Sequence, residues 1–454
     1  MFAGNKVSLA SLALLASSAW AQGPLLSPLE PTRGIMLGAW LDTAPGRDTP
    51  AAFNSRFGHN AAMVHLAQNL PLVPSALAPV QLLDQTNTNA ILYLSIYPTV
   101  LPDALTDDQI NALVQQLTTY TRNGRGVLLR LAPEMNGTWQ PYGQRPLAFI
   151  AMWRKIVAAV RAADPSTVKG VSFIWAPNVF GGYPYSGAMT AAVSPTEFAA
   201  LDTNHDGVLN ELDDGYAPFY PGSDVVDWVG LSTYWFGTSY PYVANNLPTA
   251  GYMSSIIHGI GAGGNGPDFY SIYSQTNKKP FFITESGAAF HEFQIATPTS
   301  TVSSAPVAPG PGALAIKQAW WRQYLTNSTF LDAHPQLKAV CLFEWTKPEE
   351  QTMRNFHVTN DTDVLAAFKA DFEAPAVLSR YFFAGPAAIT TDPSAPPADP
   401  AAGVPATAGT GSGTGGAAAP GAGGKTGSGA LTIAASWFTT VAAAAAAGAY
   451  ASLF

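Results

Sequence analysis

At 454 residues the chain has room for two or three ordinary domains or for one large barrel. Apolar residues make up 47% and charged residues 11%, so a large core can be filled beneath a weakly charged surface. The net charge is −8 and no basic run occurs, which argues against nucleic acid as a partner.

The first segment, residues 1–21, has the pattern of a secretory signal peptide. Lys6 supplies the positive charge, Val7 to Ala16 the apolar stretch, and Ala19-Trp20-Ala21 the small-residue cleavage site. About ten apolar residues are too few to span a membrane.

Eight short apolar runs follow: Ile35–Trp40, Ala62–Leu66, Ala90–Ile96, Val127–Ala132, Val171–Ala176, Trp228–Thr233, Pro280–Thr284 and Ala339–Trp345. Most are apolar on both faces, as parallel strands covered by helices are. Helical stretches are predicted between them, at Thr106–Arg122, Leu147–Ala163, Ala313–Leu331 and Asp363–Lys369. Asp107 and Asp108 favour a helix start. The alternation predicts an α/β fold, a (β/α)8 TIM barrel over residues 22–390. An open doubly wound sheet would carry a Gly-rich phosphate turn after its first strand, and Leu37-Gly38-Ala39-Trp40 is not one.

Barrel chemistry sits at the C-terminal ends of strands. The fourth run ends Arg130-Leu131-Ala132-Pro133-Glu134-Met135-Asn136-Gly137, and the seventh ends Ile283-Thr284-Glu285-Ser286-Gly287. Strands four and seven face each other across a barrel mouth. Two carboxyl groups there can act as nucleophile and acid/base on a glycosidic bond, the retaining arrangement needing about 5–5.5 Å between them. Pro133 fixes its own backbone and biases Ala132 towards extended geometry. Trp139, Tyr142, Trp175, Tyr183, Tyr185, Trp235 and Tyr242 follow strand ends and can stack on sugar faces; for any one of them, packing is an equal explanation.

After the fifth run, Asp202-Thr203-Asn204-His205-Asp206-Gly207-Val208-Leu209-Asn210-Glu211-Leu212-Asp213 follows a Ca²⁺-loop pattern. The ligands would be Asp202, Asn204, Asp206, the Val208 carbonyl and Asp213, with Gly207 at the sharp turn. The metal would be structural. The alternative is a metal-free turn. No cofactor is expected for catalysis. Asn327-Ser328-Thr329 and Asn360-Asp361-Thr362 are glycosylation sequons. Asn136-Gly137-Thr138 also matches, but it abuts Glu134 and is expected to stay unmodified. Cys341, the single cysteine, reads as a buried small hydrophobe.

From residue 391 to 429 the composition collapses almost entirely to Ala, Gly, Pro, Ser and Thr, the pattern of a flexible stalk. Residues 430–454 are apolar and uncharged, which together with the stalk reads as the signal for a glycolipid (GPI) anchor.

The two Glu motifs resemble clan A glycoside hydrolases, and most closely family 26, the β-mannanase family. The likeness extends to Phe-Ile-Trp-Ala-Pro-Asn (173–178), Val-Gly-Leu-Ser-Thr-Tyr-Trp (229–235) and Leu-Phe-Glu-Trp (342–345). It implies Glu134 as acid/base and Glu285 as nucleophile. Tyr234 would hydrogen-bond the nucleophile, and Trp345 would floor the reacting-sugar subsite. Arg130, Asn136, Trp139, Trp175, Asn178 and Trp235 complete the expected substrate-binding set. The family usually has His where this chain has Pro133, so the likeness carries the retaining chemistry further than it carries mannan specificity. The expectation is a secreted, monomeric, endo-acting β-glycanase on the cell surface, touching the membrane only through its anchor. The alternatives are a β-glucanase or xylanase of the same clan and a barrel that binds wall polysaccharide without cutting it.

Overall fold

All eight apolar runs form strands, and all eight are parallel. The computed structural model describes residues 26–44, 46–73, 78–261, 266–296 and 303–387. The expected signal peptide, stalk and terminal tail lie outside the described residues.

The barrel strands are β1 (Ile35–Leu41), β2 (Met63–Leu70), β3 (Ile91–Pro98), β4 (Val127–Leu131), β5 (Val171–Trp175), β6 (Trp228–Trp235), β7 (Phe281–Ala288) and β10 (Leu337–Glu344). They neighbour one another in that order, and β10 pairs with β1 from Met36↔Ala339 to Leu41↔Glu344, which closes the barrel. The fold is therefore a (β/α)8 TIM barrel. A short strand, β13 (Tyr381–Phe382), adds to β1 near its start.

Two apolar shells explain why the runs are apolar on both faces. Inward residues such as Met36, Met63, Tyr93, Leu128, Ile174, Trp228, Phe282 and Cys341 fill the barrel. Outward ones such as Leu37, Val64, Leu92, Leu129, Phe173, Leu231, Ile283 and Val340 pack under the helices. Cys341 is fully buried in the inner shell.

Local signals place the helices. In the helix Asp107–Arg122 a capping box joins Thr106 and Gln109. In the helix Pro146–Arg161, Pro146 stands at the first turn, where its missing N–H is harmless. The helix predicted across Ala313–Leu331 is instead two, Ala313–Tyr324 and Ser328–Ala333. The break has a local cause, because the Asn327 side chain accepts from the Phe330 amide and so caps a new helix.

A second sheet was not legible. Strands β8 (Phe290–Ile295), β9 (Ser303–Pro306), β11 (Thr346–Glu349) and β12 (Thr352–Asn355) form an antiparallel layer in the order β11-β12-β8-β9. β8 continues β7 after one residue and β11 continues β10 after one residue. The sheet therefore stands on the C-terminal ends of two barrel strands, beside the mouth.

Candidate active site

The chain after β4 does not leave the barrel in extended form. Ala132 has φ +45° and Glu134 φ +56°, both left-handed. The bias of Pro133 on Ala132 is overridden by neighbouring strands: the Ala132 amide donates to the Ile96 carbonyl (2.8 Å) and the Glu134 amide to the Ala176 carbonyl (2.9 Å). These bonds to β3 and to the end of β5 turn Glu134 over the mouth. Such strained residues persist where the surroundings over-determine them. The Tyr142 hydroxyl donates to the Pro133 carbonyl (2.9 Å) and pins the same turn.

Glu285 is aimed by an irregularity in β7. Ile283 pairs with Leu231, but the next partner of Ser232 is Glu285, so Thr284 is skipped. The shift on the β10 side falls over the same residues. Paired residues share a face, so the skip moves Glu285 to the inner face of Ser232. This is how bulges re-aim side chains.

Arg130, on β4 and fully buried, lies beneath both carboxylates. One terminal nitrogen bonds Glu285 Oε1. The other donates to Ser232 Oγ (2.6 Å) and lies 3.7 Å from Glu134 Oε1. The Tyr234 hydroxyl donates to Glu285 Oε2 at 2.6 Å. Burial, reinforced by the Glu285 charge, keeps that phenol protonated well above its ordinary range.

Burial and the nearby Glu285 charge raise Glu134 to about 7, against the opposing pull of Arg130. Its side chain is still 15% exposed, so the carboxyl sits in a restricted environment that water reaches. It is a carboxylic acid able to hold its proton near neutrality.

The other expected contacts divide. Asn136 and Asn178 hold each other: Asn136 Nδ2 donates to the Asn178 carbonyl and its Oδ1 accepts from the Asn178 amide. Asn136 is thus buried with both amide ends engaged. Trp139 packs edge-on to Tyr185, and a Cβ on Gly137 would meet its ring at 2.3 Å. Trp345 stacks on Phe343 and lies edge-on to Trp40, in a cluster that reaches Tyr234. Trp175 and Trp235 are placed elsewhere. Both point into the outer shell, Trp175 stacked on Phe269 and Trp235 against Tyr252 with its indole N–H on the Asn246 carbonyl. Strand alternation is the reason, since Tyr234 and Ile174 take the inner face.

Four inner-face groups, His65, Tyr93, Ser95 and Tyr97, were missed. His65 bonds Ser95 Oγ (2.6 Å) and stacks on Tyr93 at 4.1 Å. Burial and Arg130 hold its imidazole well below the ordinary range, hence neutral. Tyr97 stands two residues beyond Ser95 on the same face. The signal was the alternation within Leu92–Tyr97, which an apolar run disguises.

In the loop after β5, the Asp202 carboxylate accepts from the Asp206 and Gly207 amides, Asp206 from Val208, and Asp213 from Thr203 and Asn210. Asn204 Oδ1 accepts from the Asp206 amide, and the Val208 carbonyl accepts from Asn210 Nδ2. Gly207 has φ +81°. The oxygen donors suit Ca²⁺ in kind. Their spacing is set here by backbone hydrogen bonds, and among the described residues no three His, Cys, Asp or Glu side chains converge as a metal site. Of the sequons, Asn360 is exposed and Asn327 is the half-buried helix cap.

No family model matches the chain. It is 26% identical over 219 residues to endoglucanase H of Acetivibrio thermocellus, a stretch covering 45% of this chain and 20% of that protein. The chain thus spans about a fifth of that relative's length. Among solved structures, a GH26 β-mannanase from Bacteroides ovatus aligns over 78% of this chain and 91% of its own, with 15% identity and a TM-score of 0.46. An endo-β-1,4-mannanase from Cellulomonas fimi aligns over 77% and 72%, with 16% identity and a TM-score of 0.42.

Proposed function

We propose that this chain is a retaining, endo-acting β-glycoside hydrolase of cell-wall or plant polysaccharide, with mannan as its first candidate substrate. The observation that carries the reading is one buried guanidinium, Arg130, facing two carboxyl groups from strands across the barrel, one of them raised to about 7. A binding barrel needs no such pair.

In the first step Glu285 Oε attacks the anomeric carbon. The bond to the leaving oxygen breaks as Glu134 gives that oxygen its proton. In the second step Glu134, now a carboxylate, takes a proton from water, and the resulting hydroxide equivalent displaces Glu285. Tyr234 and Arg130 orient Glu285 throughout. The route needs no cofactor.

Mannan rests on the resemblance of the two Glu motifs, with Pro133 as the departure. The endoglucanase similarity makes β-glucan the second reading. A reducing-sugar screen over mannan, xylan, mixed-linkage glucan, β-1,3-glucan and chitin tests both. Release from mannan alone supports the first reading and release from β-glucan the second. Activity on none overturns the hydrolase reading.

A further inference from the structure

Beyond Tyr234, a line of aromatic rings leads away from Glu285. Tyr234 stacks on Phe236 (5.3 Å between centroids, 23°). Phe236 lies 5.9 Å from Tyr242, and Tyr242 6.0 Å from Tyr240. The first three rings are half-buried, and Tyr240 is 42% exposed. This segment follows β6 out of the mouth.

The second sheet braces that segment. Arg354 on β12 is 1% exposed; its guanidinium lies 5.0 Å from the Phe236 ring centroid and donates to the Tyr242 carbonyl (3.4 Å). Glu350 and Glu349 pair with it at 2.6 and 3.3 Å. His291 on β8 bonds the Phe236 carbonyl at 2.7 Å. A buried, doubly paired Arg is expensive to desolvate and is weak evidence for stability alone. Here it ties the backbone at Tyr242, two residues beyond the exposed Tyr240 ring, to the second sheet. A ring held still before binding loses little freedom when a ligand covers it.

We infer that Tyr240 is a stacking platform for a sugar unit of the polysaccharide lying beyond the reacting unit. This deepens the hydrolase reading and rests on it. The occupant is a neutral glycan chain, because the track is continuous with the candidate active site and offers flat apolar rings. The charges beneath it are already paired.

The test uses Tyr240→Ala and Tyr240→Phe in the whole protein. Tyr240→Ala should raise KM on the polymer about fivefold, leave turnover of a short aryl glycoside unchanged, and alter product lengths. Tyr240→Phe should behave as wild type. An unchanged KM on polymer overturns the platform while the hydrolase reading stands. Migration in native gels containing the polysaccharide, on a Glu285→Ala background, separates the two ideas. Retardation that disappears with Tyr240→Ala upholds the platform whether or not the wild type cuts. Equal migration with and without Tyr240 overturns it.

Discussion

Glu285 meets Arg130 and Tyr234 directly, whereas Glu134 lies 3.7 Å from the far nitrogen of Arg130 and is raised by burial and by the Glu285 charge. Their substitutions should therefore differ in kind. Glu285→Ala should abolish turnover and regain part of it with azide, giving inverted product. Glu134→Ala should spare the first step on substrates with good leaving groups, which need no proton. Wild-type rates on polymer from either variant would remove the assignment. The pH dependence has a definite sign. An acid raised to about 7 is protonated below that value, so activity should fall as pH rises through about 7. The same shift bears on stability: the folded group holds its proton more tightly than the unfolded one, with its ordinary value of 4.5. Its contribution is full below pH 4.5 and is lost as pH rises towards about 7. Melting curves across pH 4–9 should show that decline in wild type and a flatter profile in Glu134→Gln. The residue types were legible from the strand ends; the left-handed Ala132 and Glu134 were not, because bonds to two other strands impose them.

At the scale of elements, the helix Ala313–Tyr324 holds β7 through the hydroxyl of Ser286. Ser286 Oγ, next to Glu285, accepts from Trp320 Nε1 (3.1 Å) and the Tyr324 hydroxyl (2.8 Å). Ser286→Ala should strand two buried donors and cost about 2 kcal/mol, read as a lower denaturant midpoint, with kcat falling because the bulge loses its anchor. Unchanged stability would mean that the donors find other acceptors. The loop at 202–213 makes a separate test. If Ca²⁺ binds only the folded loop, chelator should lower the Tm, and Asp206→Ala should be indifferent to chelator. A Tm that ignores both chelator and added Ca²⁺ would leave the backbone hydrogen bonds as the whole explanation of the motif. The skipped Thr284 lay hidden in the sequence: a bulge exists only relative to partner strands, and the seventh run reads the same with or without one.

For the molecule as a whole, closure of the barrel depends on close approach between strands. A Cβ on Gly230 would meet the Phe282 carbonyl at 2.4 Å and Thr284 Cγ2 at 2.7 Å. Gly230→Ala should push β6 from β7, cost about 1–3 kcal/mol as an overpacked core does, and lower kcat, since Tyr234 and Glu285 ride on those two strands. Wild-type stability and kcat in this variant would show that the sheet yields freely there. Hydrophobic periodicity by itself determined the eight strands, their parallel direction and the barrel, because burial on both faces leaves its mark on every strand. It also placed Glu134 beyond the end of its strand, whereas β7 runs on past Glu285 to Ala288. Only the tertiary structure decided that Trp175 and Trp235 face the helices, that Arg130 sits beneath both carboxylates, and that a second sheet carries Arg354 under the Phe236–Tyr242 segment. The physical reason is that a run apolar on both faces does not say which residue faces inward. That choice is made by register and bulges, which are relations between strands far apart in the chain.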